Sequence, residues 1–124
     1  MSRILIVEDN ERNLKVVREA LQGNGFTTLE AMNATDGLAL AAEQLPDLIL
    51  MDIQLPGMSG IEALRLLRAD ARTSGIPVIA VTASVMDKEM GLIKAAGFDA
   101  CVAKPIRYAS FLAAVRSMLE RART

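Results

Sequence analysis

The sequence contains no histidine and only one cysteine, Cys101. A lone thiol excludes an internal disulfide, and without histidine or further thiolates a zinc site has no ligand set. Neither sign of charge dominates. Fourteen Lys and Arg against fifteen Asp and Glu give a formal net charge of -1, which removes the electrostatic case for non-specific nucleic-acid binding. No apolar run is long enough to span a bilayer, and no charged start followed by a long apolar stretch marks a signal peptide. The expectation is a soluble, cytoplasmic protein whose partners are neither nucleic acid nor membrane. At 124 residues the chain can bury a core without staples and reads as a single domain, 1–124.

What the sequence does contain is a set of short apolar runs that end in chemistry-bearing residues. Residues 48–51 are four apolar residues in a row, as a strand buried on both faces requires, and the run ends in Asp52. Pro56, Gly57 and Gly60 then break the chain into a loop, and Ser59 with Glu62 has the spacing of a capping box. Residues 4–7 form a second run, ending in Glu8 and Asp9. Residues 78–81 form a third, ending in Thr82, and a weaker fourth, 98–103, ends in Lys104-Pro105. A further strand at 26–31, with Thr27, Thr28 and Glu30, is too polar for the centre of a sheet and reads as an edge.

Helical patterns separate these runs, so strand and helix alternate five times, which predicts a (βα)5 α/β domain with a parallel sheet covered on both faces. Asn10 opens the first helix, with Leu14, Val17 and Leu21 on its buried face, and Gly23-Asn24-Gly25 ends it. Asn33 helps start a second helix at 35–44. The third helix, 59–71, is expected to bury Ile61, Leu64 and Leu67 and to carry a solvated basic face of Arg65, Arg68 and Arg72. The fourth, 84–96, opens with Ser84 and Asp87 at capping spacing, but Gly91 costs it about 1 kcal/mol relative to alanine. The last, 106–121, buries Phe111 or Leu112, Val115 and Leu119.

In an open parallel sheet the carboxyl ends of the strands share one rim, where ligands bind. Three carboxylates crowded there resist joint ionisation unless a cation lies among them, and a donor set of oxygens alone favours a hard ion such as magnesium. Simple neutralisation of the acids by Lys104 is the bland alternative, but Thr82 adds nothing to charge balance and can donate to a phosphoryl oxygen. An aspartate can itself be a nucleophile, so the set suits phosphoryl transfer to Asp52.

Together, Val7-Glu8-Asp9-Asn10, Asp47 to Asp52 with Pro56 and Gly60, Val81-Thr82-Ala83 and Lys104-Pro105 resemble the receiver domain of bacterial two-component response regulators over essentially the whole chain. With Asn13 and the stretch from Met51 to Pro56, the sequence is most similar to single-domain DivK-like cell-division regulators and to receivers fused to hybrid kinases. The resemblance implies the flavodoxin-like, doubly wound order 2-1-3-4-5. It also implies that Asp52 accepts a phosphoryl group from a phosphohistidine on a histidine kinase or phosphotransfer protein. Magnesium would be held by Asp9, Asp52 and the backbone carbonyl of Gln54, with Glu8 acting directly or through water. Thr82 and Lys104 would bind phosphoryl oxygens, and Ala83 leaves room for the group to enter. The peptide before Pro105 is a candidate for the cis isomer.

The resemblance implies a signalling module, with no catalysis beyond its own phosphotransfer and autodephosphorylation. Its output would be protein binding through the face formed by the fourth helix, fifth strand and fifth helix, where Lys88, Lys94, Arg107, Tyr108 and Arg116 are exposed candidates, Arg107 and Tyr108 lying near the rim. One position departs from the pattern. Receivers commonly carry Tyr or Phe three residues before the lysine, whereas this chain has Cys101, which we read as a small buried residue rather than a redox sensor. The signal is then expected to leave through 83–90 and the fourth helix. Two other classes share parts of this reading. A haloacid-dehalogenase-like phosphatase also uses an aspartyl phosphate but carries a second Asp where this chain has Gln54. A flavin module would need a phosphate loop where Glu8 and Asp9 stand.

Overall fold

The computed structural model describes residues 2–83 and 87–123, apart from the side chains of 87–90 and 122–123. Five strands alternate with five helices: β1 Arg3–Val7, α1 Glu11–Gln22, β2 Thr27–Ala31, α2 Ala34–Gln44, β3 Leu48–Asp52, α3 Gly60–Ala69, β4 Val78–Thr82, α4 Asp87–Ala96, β5 Ala100–Ala103 and α5 Tyr108–Arg123. All neighbouring strands are parallel, in the order β2-β1-β3-β4-β5, so the chain winds outward in both directions from β1. The polar strand β2 is an edge, as its threonines and Glu30 require.

Alternation along the strands divides the core into two layers. Ile4, Ile6, Leu48, Leu50, Ile79 and Val81 pack with α1 and α5, where Phe111 and Leu112 are both buried. Leu5, Val7, Ile49, Met51, Val78 and Ala80 pack on the other side, with α2, α3 and α4. Helix α2 lies so close to β1 that a Cβ on Gly37 would meet Val7 Cγ2 at 2.8 Å. Each of the first three helices starts at a polar cap. The Asn10, Asn33 and Ser59 side chains accept the backbone N–H of Asn13, Asp36 and Glu62. Ser84, the residue expected to cap α4, lies outside the described residues.

Three expectations need correction. Ile61 is only half-buried. The inward face of α3 is instead Gly60, Ala63, Leu64 and Leu67, because these recur at three- and four-residue spacing while Ile61 is a step around the helix. The strands and the last helix differ at their ends: β2 and β5 begin one and two residues later than expected, and α5 starts at Tyr108, past Pro105. Of the three arginines, Arg65 and Arg72 are exposed as expected, and Arg68 is the one that departs from a solvated face. Arg72 lies beyond α3 and folds back on Asp70 at 2.8 Å. Arg68 donates to the carbonyls of Ser74 and Ile76 at 3.1 and 2.7 Å and to Asp99 Oδ2 at 2.9 Å. Asp99 Oδ2 also accepts the Val78 N–H at 2.8 Å, so Arg68 clamps the entries to β4 and β5. Among the described residues, no helix is long and apolar enough to cross a membrane.

Candidate phosphoacceptor and metal site

Parallel register places the chemistry. Val7 pairs with Met51, Asp52 with Val81, and Thr82 with Ala103. Glu8 and Lys104 each follow the last residue of their strands, and their backbone N–H groups still donate across the sheet, to Ala31 O at 3.0 Å and Thr82 O at 2.8 Å. The rim is therefore an extension of the sheet, with little freedom to rearrange. Glu8, Asp52 and Lys104 continue the phase of the α1 and α5 layer, whereas Thr82 continues that of Val78 and Ala80, on the opposite side.

Three of the expected residues meet directly. Lys104 Nζ lies 2.9 Å from Asp52 Oδ2 and 3.2 Å from both carboxylate oxygens of Glu8. Asp52 and Glu8 are only 3 and 4 % exposed, so one ammonium serves two carboxylates withdrawn from water. Asp9 is exposed, yet it offers an oxygen within 4.8 Å of oxygens from both Glu8 and Asp52. Asp52 is oriented from below as well, because its Oδ1 accepts the Gln54 N–H at 3.0 Å. Thr82 is buried at the end of β4, one register step from Asp52. Ala83 beside it is exposed, and the Lys104-Pro105 peptide is cis.

The loop after Asp52 is held by close backbone packing. Gly60 N–H donates to Ile53 O at 3.0 Å, and a Cβ at Gly60 would lie 2.5 Å from Asp52 O. Glycine at this position lets α3 start directly against the rim.

Electrostatics agree with the geometry. Burial, followed by the charge of Asp52, pushes the Glu8 carboxyl above the usual range, and Lys104 only partly offsets this. For Lys104, burial works against the charged form, but its hydrogen bond and charge interaction with Asp52, then with Glu8, win and raise its value. The cluster is thus short of positive charge. Three clustered carboxylates, with oxygen donors only, fit a hard divalent cation.

The pairing of Lys104 with both acids is the ion-pair cluster that the sequence offered as the bland alternative. One feature was not anticipated from sequence, the use of Asn13, whose side-chain Nδ2 lies 3.4 Å from Glu8 Oε1 while the Asn10 N–H donates to the same oxygen at 3.3 Å. An asparagine in the first helical turn after an acid was the available signal. On the face where output was expected, Lys94, Arg107, Tyr108 and Arg116 are exposed, and the side chain of Lys88 is outside the described residues. The Tyr108 ring is turned away from the rim. Its hydroxyl accepts from Asn24 Nδ2 at 2.7 Å, and Asn24, in the turn after α1, also accepts from Arg116 at 3.1 Å. Cys101 is half-buried rather than buried, because β5 is an edge strand, but it packs partly against the core layer under α4, and burial raises its thiol.

The sheet order, the rim and its acid cluster define a receiver domain of two-component signalling systems. Residues 4–116 match the response regulator receiver domain family, and the chain belongs to it. The polar-differentiation response regulator DivK of Brucella anthropi is 43 % identical over 116 residues, which make up 94 % of each chain. A CheY-like receiver from Methanospirillum hungatei is 30 % identical, with a TM-score of 0.88 over 99 % of this chain and 97 % of that one. The receiver of a sensor histidine kinase from Pseudomonas aeruginosa is 29 % identical, with a TM-score of 0.89 over 96 and 98 % of the two chains. That structure is described with a magnesium ion coordinated in its active-site cleft.

Proposed function

We propose that the chain relays a phosphoryl group. A carboxylate oxygen of Asp52 forms a bond to phosphorus as the P–N bond of a donor phosphohistidine breaks, the electron pair passing to the imidazole nitrogen of a histidine kinase or phosphotransfer protein. The observation that carries this reading is the buried carboxylate of Asp52, 2.9 Å from Lys104 Nζ and in one oxygen cluster with Glu8 and Asp9. Asp9, Asp52 and the backbone carbonyl of Gln54 would hold magnesium, with Glu8 acting directly or through water. When bound, the ion supplies positive charge that offsets the crowded carboxylates and the incoming phosphate. Lys104 passes from neutralising Asp52 to pairing with a phosphoryl oxygen, and Thr82 donates to another. Ala83 leaves the approach open.

Output would be phosphorylation-dependent protein binding through α4, β5 and α5, with the chain acting as a single receiver domain in the cytoplasm. The DivK relatives, matched over 94 % of their own length, support the single-domain reading. With Cys101 in place of a swinging aromatic, the signal leaves through the Thr82 loop and α4, which Gly91 weakens.

The test is incubation with magnesium and acetyl phosphate, followed by intact mass and peptide mapping. One added phosphoryl group on Asp52 is expected, dependent on magnesium and absent in Asp52→Asn. Equal labelling of Asp52→Asn would disprove the choice of nucleophile.

A further inference from the structure

Asn10 and Asn13 tie the first turn of α1 back to Glu8. The Asn10 N–H donates to Glu8 Oε1 at 3.3 Å, Asn13 Nδ2 approaches the same oxygen at 3.4 Å, and the Asn13 N–H donates to Asn10 Oδ1 at 3.0 Å. These three contacts close a ring between the end of β1 and the start of α1. With Lys104 Nζ at 3.2 Å, Glu8 Oε1 faces three donors, while Oε2 faces Lys104 at 3.2 Å. An oxygen with three donors has little lone-pair capacity left, whereas Oε2 retains it for a cation.

We propose that Asn13 is a positioning residue for the metal site: its side-chain amide holds Glu8 so that Oε2 is presented to magnesium. The inference rests on the phosphorelay reading, because it concerns the ion that reading requires. Glutamate needs this restraint more than aspartate would, since its extra methylene adds a rotatable bond between backbone and carboxylate. Partners that orient a ligand carboxylate typically change metal affinity by about 10- to 100-fold. The 3.4 Å contact places Asn13 at the lower end of that range.

The two functions of Asn13 can be separated. Its backbone N–H serves the Asn10 cap, so Asn13→Ala removes the amide and keeps the cap, and alanine is the better helix former. Magnesium affinity of the whole chain is measured by amide-shift titration, with thermal unfolding in the absence of magnesium as a fold control. Asn13→Ala should weaken magnesium binding about tenfold while the metal-free unfolding midpoint stays within a few degrees of wild type. In acetyl phosphate reactions the half-saturating magnesium concentration should rise by the same factor, with the rate at saturating magnesium unchanged. In a Glu8→Ala background, Asn13→Ala should have no further effect on affinity. Wild type that binds no magnesium would overturn the phosphorelay reading together with this one. Wild type that binds magnesium, with Asn13→Ala unchanged or equally damaging without Glu8, would overturn only the role of Asn13.

Discussion

Gly60 and Gly91 both sit in helices, and the structure requires opposite outcomes when each becomes alanine. At Gly60 the new Cβ would lie 2.5 Å from Asp52 O and 2.9 Å from the Ile53 Cα. Both are backbone atoms of the strand end, which no rotamer change can move aside. Reaching ordinary contact at 3.4 Å requires a retreat of roughly 0.9 Å between α3 and the rim, enough to strain the Gly60 N–H bond to Ile53 O. Overpacking of this kind costs about 1–3 kcal/mol, against a helix-propensity gain of at most about 1 kcal/mol. At about 2.1 cal/mol/K of unfolding entropy per residue, each kcal/mol lowers the midpoint of this chain by about 4 °C. Because the clash is with fixed backbone, its cost lies in the upper part of that range, about 2–3 kcal/mol, which leaves a net loss of about 1–2 kcal/mol and a drop of about 4–8 °C for Gly60→Ala. At Gly91 nothing lies within 4 Å of the added Cβ, and the backbone is not left-handed, so Gly91→Ala should raise the midpoint by up to about 4 °C. Thermal unfolding by circular dichroism reads both. Because the Gly60 clash bears on the Asp52–Ile53 backbone, Gly60→Ala should also slow magnesium-dependent labelling, which Gly91→Ala should leave intact. Gly60→Ala with wild-type stability would refute the view that α3 is seated directly against the rim.

Three further outcomes follow from the same geometry. Lys104→Met leaves two buried carboxylates without their ammonium, so metal-free stability should fall by about 3 kcal/mol in denaturant titration. Magnesium binding should tighten severalfold in the same variant, because a competing cation is gone; weaker binding would contradict this. Glu8 has a carboxyl raised above its usual value, so part of it is protonated where an ordinary glutamate is fully ionised. A metal needs the carboxylate, so magnesium affinity should fall as pH drops through the range just above the normal glutamate value. Calorimetry in buffers of differing ionisation enthalpy should then detect proton release, and a buffer-independent heat would rule it out. Arg68→Ala removes a donor to two carbonyls and frees Asp99, which should cost about 2 kcal/mol and speed amide exchange at Val78. Arg68→Lys should recover less than half of that loss, since an ammonium lacks the planar fork that reaches all three acceptors.

Much of the fold was legible from contiguous residues. The apolar runs 4–7, 48–51 and 78–81 named the three central strands, because a strand covered on both faces must be apolar throughout. Asn10, Asn33 and Ser59 marked their helix starts, since capping is a contact over three residues. The acids at strand ends were legible too, as was their convergence on one rim. Lys104 as a neutraliser of those acids was also legible, but the particular atoms that pair between distant segments were not. Lys104 is 96 residues from Glu8 and 52 from Asp52, and only parallel register brings one ammonium to both. Arg68 looked like solvated surface because helical spacing describes the face it leaves from, while its acceptors at Ser74, Ile76 and Asp99 depend on where β4 and β5 enter the sheet. Tyr108 turned from the rim for a similar reason, its partner Asn24 lying 84 residues away. Periodicity and capping are set by neighbours along the chain, whereas the pairing of charges depends on which segments the sheet order and register place side by side.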